Sequence, residues 1–132
     1  MPIKVSWRND RKTEIVFTFD GHWDLDDFYQ ATEAGNALLD EVTYTVNMIL
    51  DVQHSRSLPG GFMNAIKNTP RKVHPNAGTM VMVGMSAFAR AFINVYRKVY
   101  PKKVTEKTIH FAGTYDEADA IFAQLSAVSL HA

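Results

Sequence analysis

Two short apolar runs constrain the fold of this chain most. The segment Val46–Val52 is apolar on both faces except for Asn47 and Asp51, and Thr79–Met85 is an apolar run of similar length. A strand with one buried face alternates apolar and polar residues, whereas a strand of a parallel sheet is covered on both sides and carries a continuous apolar run. The two segments therefore predict central strands of a largely parallel sheet.

Segments with helical periodicity alternate with these strands. Asp24 stands at an N-cap position with Asp27 three residues later, and apolar residues then recur on one helix face as far as Val42. Gly35 lies on that face, which predicts a close approach of the helix to the sheet. Three more helices are predicted, at Gly60–Asn68, at Ala87–Tyr100 and from Thr114 onward, with Pro70 and Pro101 ending the first two.

The remaining strands complete an α/β order. Ile3–Trp7 and Glu14–Phe19 are short β-branched and apolar runs that flank a polar turn, which predicts a hairpin, and Lys107–Ala112 predicts a last strand. The order β, β, α, β, α, β, α, β, α favours a single-layer, mostly parallel sheet of about five strands with right-handed crossovers. We expect an antiparallel N-terminal edge strand, four helices and one domain over residues 1–132.

Composition limits the chemistry that the chain can carry. With 132 residues and 46% hydrophobic residues, the chain can bury the core of one domain. The absence of Cys excludes disulfides, thiolate catalysis and Cys-ligated metal sites. The N-terminal residues are polar and the longest apolar run is far too short to cross a bilayer, so we expect a cytoplasmic protein with no transmembrane segment.

The charges are segregated along the chain although their sum is zero. Nine acids and no Lys or Arg lie between Glu14 and Asp51, whereas the segment from Arg56 to Lys107 has ten basic residues and one acid. If the two segments occupy different sides of the fold, they form an acidic and a basic flank that steer a charged partner or favour self-association. The alternative is that the charges interleave in space. The basic residues form no known nucleic-acid motif, so no nucleic-acid partner is expected.

The third predicted helix has a wider apolar arc than a surface helix needs. The excess residues are either covered by neighbouring elements or form an exposed aromatic patch with basic neighbours, which suits a protein partner or a dimer. The candidate interface residues are Ile93, Tyr96, Arg97 and Tyr100.

The stretch ILDVQHSRSLPGGF, residues 49–62, joins the third strand to the second predicted helix. Amides at a helix N-terminus bind anions when no side chain obstructs them, and two glycines stand at this point. Alternatively the glycines only allow a tight turn. The candidate ligand-binding or anion-binding residues are Ser55, Arg56, Ser57, Gly60, Gly61 and Ser86.

The same stretch suggests two further kinds of site. Asp51 and His54, with Ser55 or Ser57, have the residue types of a hydrolase triad, although their spacing does not enforce a directed hydrogen-bond chain. A divalent metal is the other alternative, because residues that follow neighbouring strands could meet at one sheet edge. The metal candidates are His22, Asp24, Asp26 and His54, and helix capping and solvated loop residues are the competing explanation.

The order of elements and three local motifs resemble the STAS domain, the fold of bacterial anti-sigma factor antagonists. The motifs are FDGHWDLDDF, ILDVQHSRSLPGGF and IHFAGTYDEADAIFAQL. The resemblance implies an α/β fold and a switch in which a partner kinase phosphorylates a Ser at the start of the second helix. Here Asp51 matches the acid that precedes this Ser, but Gly60 stands at the phosphorylated position. Ser55 and Ser57, upstream in the loop, are the candidates for a shifted phosphorylation site.

These observations together predict a non-enzymatic regulatory or interaction module that binds a protein partner or itself and needs no cofactor. The alternative is a small-molecule or anion-binding domain, with phosphate, a nucleotide or a lipid held by the loops at the carboxyl ends of the strands.

Overall fold

The computed structural model describes residues 2–56, 74–84 and 109–131. In this part of the chain the fold is α/β, with a five-stranded mixed sheet and two helices. The elements are β1 (Ile3–Trp7), β2 (Glu14–Gly21), α1 (Leu25–Leu39), β3 (Val46–Ser55), β4 (Ala77–Val83), β5 (Ile109–Ala112) and α2 (Tyr115–His131).

The strands lie side by side in sequence order, β1-β2-β3-β4-β5. β1 pairs antiparallel with β2, with Val5 opposite Phe17, and the three other pairings are parallel. The predicted α/β class and the mostly parallel sheet with an antiparallel N-terminal edge strand are thus confirmed. The predicted helices at Gly60–Asn68 and Ala87–Tyr100 lie outside the described residues.

Two strand ends differ from the prediction in a way that matters for the site. β2 continues to Gly21 and β3 continues to Ser55, whereas the sequence suggested ends at Phe19 and Val52. The polar residues at both ends stay in the sheet because they pair with each other, Asp20 with His54 and Gly21 with Ser55. The prediction that placed Ser55 in a loop was therefore wrong. β4 is also shifted, to Ala77–Val83 from the expected Thr79–Met85.

Helix α1 begins and packs as its sequence indicates. The Asp24 carboxylate accepts a 2.8 Å hydrogen bond from the backbone N–H of Asp27, and the Asp27 side chain accepts a 3.0 Å bond from the N–H of Asp24. This capping box satisfies two of the unpaired amides at the helix start. At Gly35 an added Cβ would lie 2.6 Å from Cζ of Phe17, so glycine is what allows α1 to approach β2 this closely.

The two helices cover opposite faces of the sheet. Leu50 and Val52 of β3 belong to a buried cluster that includes Ala31 of α1. Ile49, which points to the other face, is in a cluster with Ala118 and Phe122 of α2. The apolar run of β3 is thus buried from both sides, which explains why it lacks the polar alternation of a half-exposed strand.

Candidate functional site

The carboxyl ends of β2, β3, β4 and β5 meet at one edge of the sheet, which we call the carboxyl edge. The parallel registers pair Asp51 with Val83, and Val83 in turn with Ala112. In an open parallel sheet this is where ligands and partners gather, because the loops that follow the strands converge there. Three exposed polar residues of the described chain lie at this edge, in the last part of β3 or just after it: Gln53, His54 and Arg56.

A β-bulge near the end of β3 decides which way the side chains at the edge point. Thr18 pairs with Asp51 and Asp20 with His54, so two steps along β2 match three steps along β3. The extra residue reverses the alternation of side chains between the two faces of the sheet, because successive residues of a strand point to opposite faces. Asp51 and Ser55 would share a face of a regular strand, but here they have contacts on opposite faces.

Ser55 is buried, 9% exposed, and its side chain has a structural contact. The indole Nε1–H of Trp23 donates a 3.0 Å hydrogen bond to Oγ of Ser55. Trp23 belongs to the cluster under α1, where it packs edge-on against Phe19. Phosphorylation of Ser55 requires this buried hydroxyl to become accessible to a kinase. The neighbouring Arg56 is exposed, and its backbone N–H donates to the carbonyl oxygen of Gly21.

Asp51 is also buried, 7% exposed, and its carboxylate accepts two hydrogen bonds. Oδ1 accepts from the backbone N–H of Gln53 at 3.1 Å, and Oδ2 accepts from the Tyr115 hydroxyl at 2.5 Å. Tyr115 is the first residue of α2, so the bond joins β3 to the start of the last helix. Burial, with help from the bond to Asp51, raises the pKa of Tyr115 to about 12.

Arg8 extends this contact towards α2 and β2. Its guanidinium lies 5.3 Å from the centre of the Tyr115 ring and donates to Asp119 through both terminal nitrogens, at 2.5 and 3.0 Å. It also donates a 2.7 Å bond to Glu14. The bond to Asp119 raises the pKa of Arg8, and the bond from Arg8 lowers the pKa of Asp119. The helix α2 is thus held on the sheet by five connected side chains: Arg8, Glu14, Asp51, Tyr115 and Asp119.

The structure does not bring the proposed triad together. Asp51 contacts Tyr115 on the α2 face, whereas Ser55 contacts Trp23 on the α1 face, so the acid and the nucleophile do not share one directed hydrogen-bond chain. For the metal alternative, within residues 2–56, 74–84 and 109–131 no group of three or more His, Asp or Glu side chains is arranged to hold an ion. Asp24 serves as the N-cap of α1 instead.

Most of the other candidate residues lie outside the described ranges. For the ligand site these are Ser57, Gly60, Gly61 and Ser86, and for the partner interface they are Ile93, Tyr96, Arg97 and Tyr100. The small-anion site, the shifted phosphorylation site at Ser57 and the aromatic interface stay predictions.

Sequence reasoning missed Tyr115 and Trp23. Both were treated as parts of motifs, and nothing in their local sequence points to Asp51 or Ser55. Their partners are 64 and 32 positions away. The sequence offered one indirect signal. A buried acid and a buried hydroxyl need hydrogen-bond partners, and Tyr and Trp can supply a donor from a side chain that is otherwise apolar.

Two further findings bear on function. Neither of the helices in the described part of the chain is long and apolar enough to cross a membrane. No protein-family model matches the sequence, and a comparison with curated proteins finds no significant match.

Proposed function

We propose that this chain is a non-enzymatic, STAS-like regulatory module that binds a protein partner or itself, and that the partner contacts the carboxyl edge. The observation that carries this proposal is the hydrogen bond from Tyr115 to Asp51. It connects β3, at the level where β4 and β5 end, directly to the first turn of α2. A partner that displaces residues at the edge would therefore also alter how α2 is held, which is the property a regulatory module needs.

The fold supports the STAS-like part of the proposal. The resemblance rests partly on the order of elements, which predicts a mostly parallel sheet with one antiparallel N-terminal edge strand, and the strand order and pairings have that form. The motif FDGHWDLDDF spans the end of β2 and the capped start of α1, and IHFAGTYDEADAIFAQL spans β5 and α2. Both motifs thus lie at strand-to-helix connections on the carboxyl edge.

The contacts of Asp51 and Ser55 favour binding over catalysis. A general base or nucleophile must lie within hydrogen-bond reach of a substrate. Asp51 and Ser55 are instead buried and accept hydrogen bonds from Tyr115 and Trp23, which stabilise the fold. The exposed residues at the edge, His54 and Arg56, are suited to polar contacts with a partner surface.

Affinity capture from the source cells with three versions of the whole chain tests this proposal. The baits are the wild type, Arg56→Glu at the carboxyl edge and Arg11→Glu in the exposed β1–β2 turn at the opposite end of the sheet. We expect at least one protein that is captured by the wild type and by Arg11→Glu and is depleted tenfold or more with Arg56→Glu. Equal capture by all three baits contradicts a partner site at the carboxyl edge.

A further inference from the structure

Strand β1 is the outer strand on one side of the described sheet, and half of its backbone groups point away from β2. The N–H of Arg8 donates to the carbonyl of Glu14 in β2. In an antiparallel pair the residues that bond to the partner strand alternate, so the other even-numbered residues of β1 also face β2. The N–H and C=O groups of Ile3, Val5 and Trp7 therefore face outward, where no other described strand lies.

Helix α1 covers this edge and leaves a groove beside it. Among the described strands, α1 lies closest to β1, so part of its lower surface extends past the edge of the sheet. An open groove of about 270 Å³ lies there, and it is lined by Ile3, Lys4, Val5, Asp27, Gln30, Ala31 and Ala34. A further strand would lie about 4.8 Å outside β1 and would place the side chains of one face in this groove.

We propose that β1 binds an extended peptide segment of a partner protein, which adds to the sheet as a sixth strand antiparallel to β1 and covered by α1. Strand addition of this kind takes its affinity from main-chain hydrogen bonds and its specificity from the side chains of the added strand. A second copy of this chain does not fit, because its own α1 would lie closer to the first α1 than the roughly 8–10 Å at which helices pack. A peptide brings no helix. The surface runs along the side of the sheet, so the inference goes beyond the proposed partner site at the carboxyl edge.

The residues of β1 and the groove determine which side chains the peptide needs. Residues directly opposite each other in an antiparallel pair point to the same face of the sheet. The peptide residue opposite Val5 therefore points into the groove, where the short side chains of Ala31 and Ala34 suit a small apolar group. The next peptide residue is opposite Lys4 and points to the other face. A carboxylate is favoured there, because Lys4 is exposed and positively charged.

Asp27 determines the third position of the peptide. Helix α1 connects the parallel strands β2 and β3 and so returns against them, in the same direction as β1. Asp27, in the first turn of α1, is therefore nearest the start of β1, at Ile3. A Lys or Arg opposite Ile3 would pair with this carboxylate. Read from its N-terminus, the peptide thus has the pattern small apolar, acidic, basic.

Titration of the ¹⁵N-labelled whole chain with an acetylated and amidated peptide of sequence TVTVEKT, followed by NMR, tests the site. The second valine of this peptide is opposite Val5 in the proposed register, and we expect saturable shifts of the backbone amides of Ile3, Val5 and Trp7. N-methylation of that valine removes an amide that bonds to Val5 and should abolish binding. N-methylation of the following glutamate is the matched control, because its amide points away from β1, and should change the dissociation constant less than threefold. No shifts at millimolar peptide, or equal effects of the two methylations, overturn the proposal.

Charge reversal tests the register. The peptide TVTVKKT places a lysine opposite Lys4, so the wild type should bind it about two- to thirtyfold more weakly than TVTVEKT. Lys4→Glu should prefer TVTVKKT instead. A preference that Lys4→Glu leaves unchanged contradicts the register.

Filling the groove tests the position of the peptide under α1. Ala34→Trp should weaken binding of TVTVEKT tenfold or more, whereas Ala37→Trp, at an exposed position of the same helix that does not line the groove, should change it less than twofold. Equal effects of the two substitutions overturn the proposal.

Two further measurements separate this surface from other binding modes. Arg56→Glu leaves β1 unchanged and should bind TVTVEKT as the wild type does, so the result does not depend on the carboxyl edge. Shifts of the same three β1 amides when the chain is concentrated without peptide would show a second copy at this edge and overturn the proposal.

Discussion

The Tyr115 hydroxyl donates a 2.5 Å hydrogen bond to Oδ2 of Asp51, a residue that is only 7% exposed. This bond joins the first residue of α2 to the central strand β3. It also stabilises an acid in the apolar part of that strand, because a buried carboxylate needs donors. The contact joins the carboxyl edge to the helix that covers one face of the sheet.

The first prediction concerns the strength of this bond. Tyr115→Phe keeps the ring but removes the hydroxyl donor, which leaves the Asp51 carboxylate bonded to the backbone N–H of Gln53. We expect the free energy of unfolding to fall by roughly 1–3 kcal/mol, because the buried Asp51 carboxylate loses one of its hydrogen-bond donors. Urea unfolding measures this change. Tyr44→Phe is the control, since the Tyr44 hydroxyl bonds to two carbonyls at the exposed surface, and it should cost less than about 1 kcal/mol. Equal losses of unfolding free energy in the two variants would show that the buried bond stabilises the fold no more than the exposed one.

The second prediction concerns alkaline pH. The fold raises the pKa of Tyr115 from 10.0 to about 12, so it favours the neutral phenol. A pKa raised in the folded state means that this contribution to stability is fully present below pH 10 and is lost as the pH rises towards 12. Unfolding measured across that window should show a steeper decline for the wild type than for Tyr115→Phe. Parallel declines would mean that Tyr115 titrates alike in both states.

The third prediction concerns acid pH and the pair of Arg8 with Asp119. The bond from Arg8 lowers the pKa of Asp119 below its ordinary value of 3.8. The stability that this pair contributes is present above that ordinary value and is lost as the pH falls through the lowered one. Asp119→Asn should cost about 0.2–1 kcal/mol at neutral pH, since the pair is half-exposed, and should flatten the decline below pH 4. Glu41→Gln, which breaks the exposed pair with Lys12, is the control for the loss of an exposed ion pair and should cost less than about 1 kcal/mol at neutral pH. An unaltered acid decline in Asp119→Asn would contradict the assignment.

The fourth prediction concerns the contact between α1 and β2. Gly35→Ala places a methyl group 2.6 Å from Cζ of Phe17, and the resulting overpacking costs more than the gain in helix propensity. We expect a net loss of roughly 1–2 kcal/mol in urea unfolding. Asn36→Ala, at the exposed next position, should be neutral or stabilising. Combining Gly35→Ala with Phe17→Leu should cost less than the sum of the two single changes, because the smaller side chain makes room. Strict additivity would show that the two residues do not compete for space.

Much of the fold follows from local sequence. The continuous apolar run of β3 predicted a strand covered on both faces, and Ile49 and Leu50 do pack on opposite sides. The Asp24 capping box was also predictable, because it depends on residues three positions apart. The close approach at Gly35 was predictable because this glycine lies on the apolar face of a periodic helix, although its partner Phe17 in β2 was not.

The site was less predictable because its contacts are distant in sequence. The bond between Asp51 and Tyr115 spans 64 positions. The bulge that turns Ser55 towards Trp23 arises from pairing between β2 and β3 and leaves no local signature. The residue types at the end of β3 indicated which polar side chains the strand carries. The bulge decides which of these side chains point to the same face of the sheet.

Site-specific photo-crosslinking in the source cells is the most direct test of a partner site at the carboxyl edge. A photoreactive amino acid is placed at the exposed position 54 on the carboxyl edge and, in a second version of the chain, at the exposed position 11 in the β1–β2 turn. We expect discrete protein adducts from position 54, their loss when Arg56→Glu is added, and none of these adducts from position 11. The same adducts at both positions, or none above background at position 54, would contradict a partner-binding module that acts through this edge.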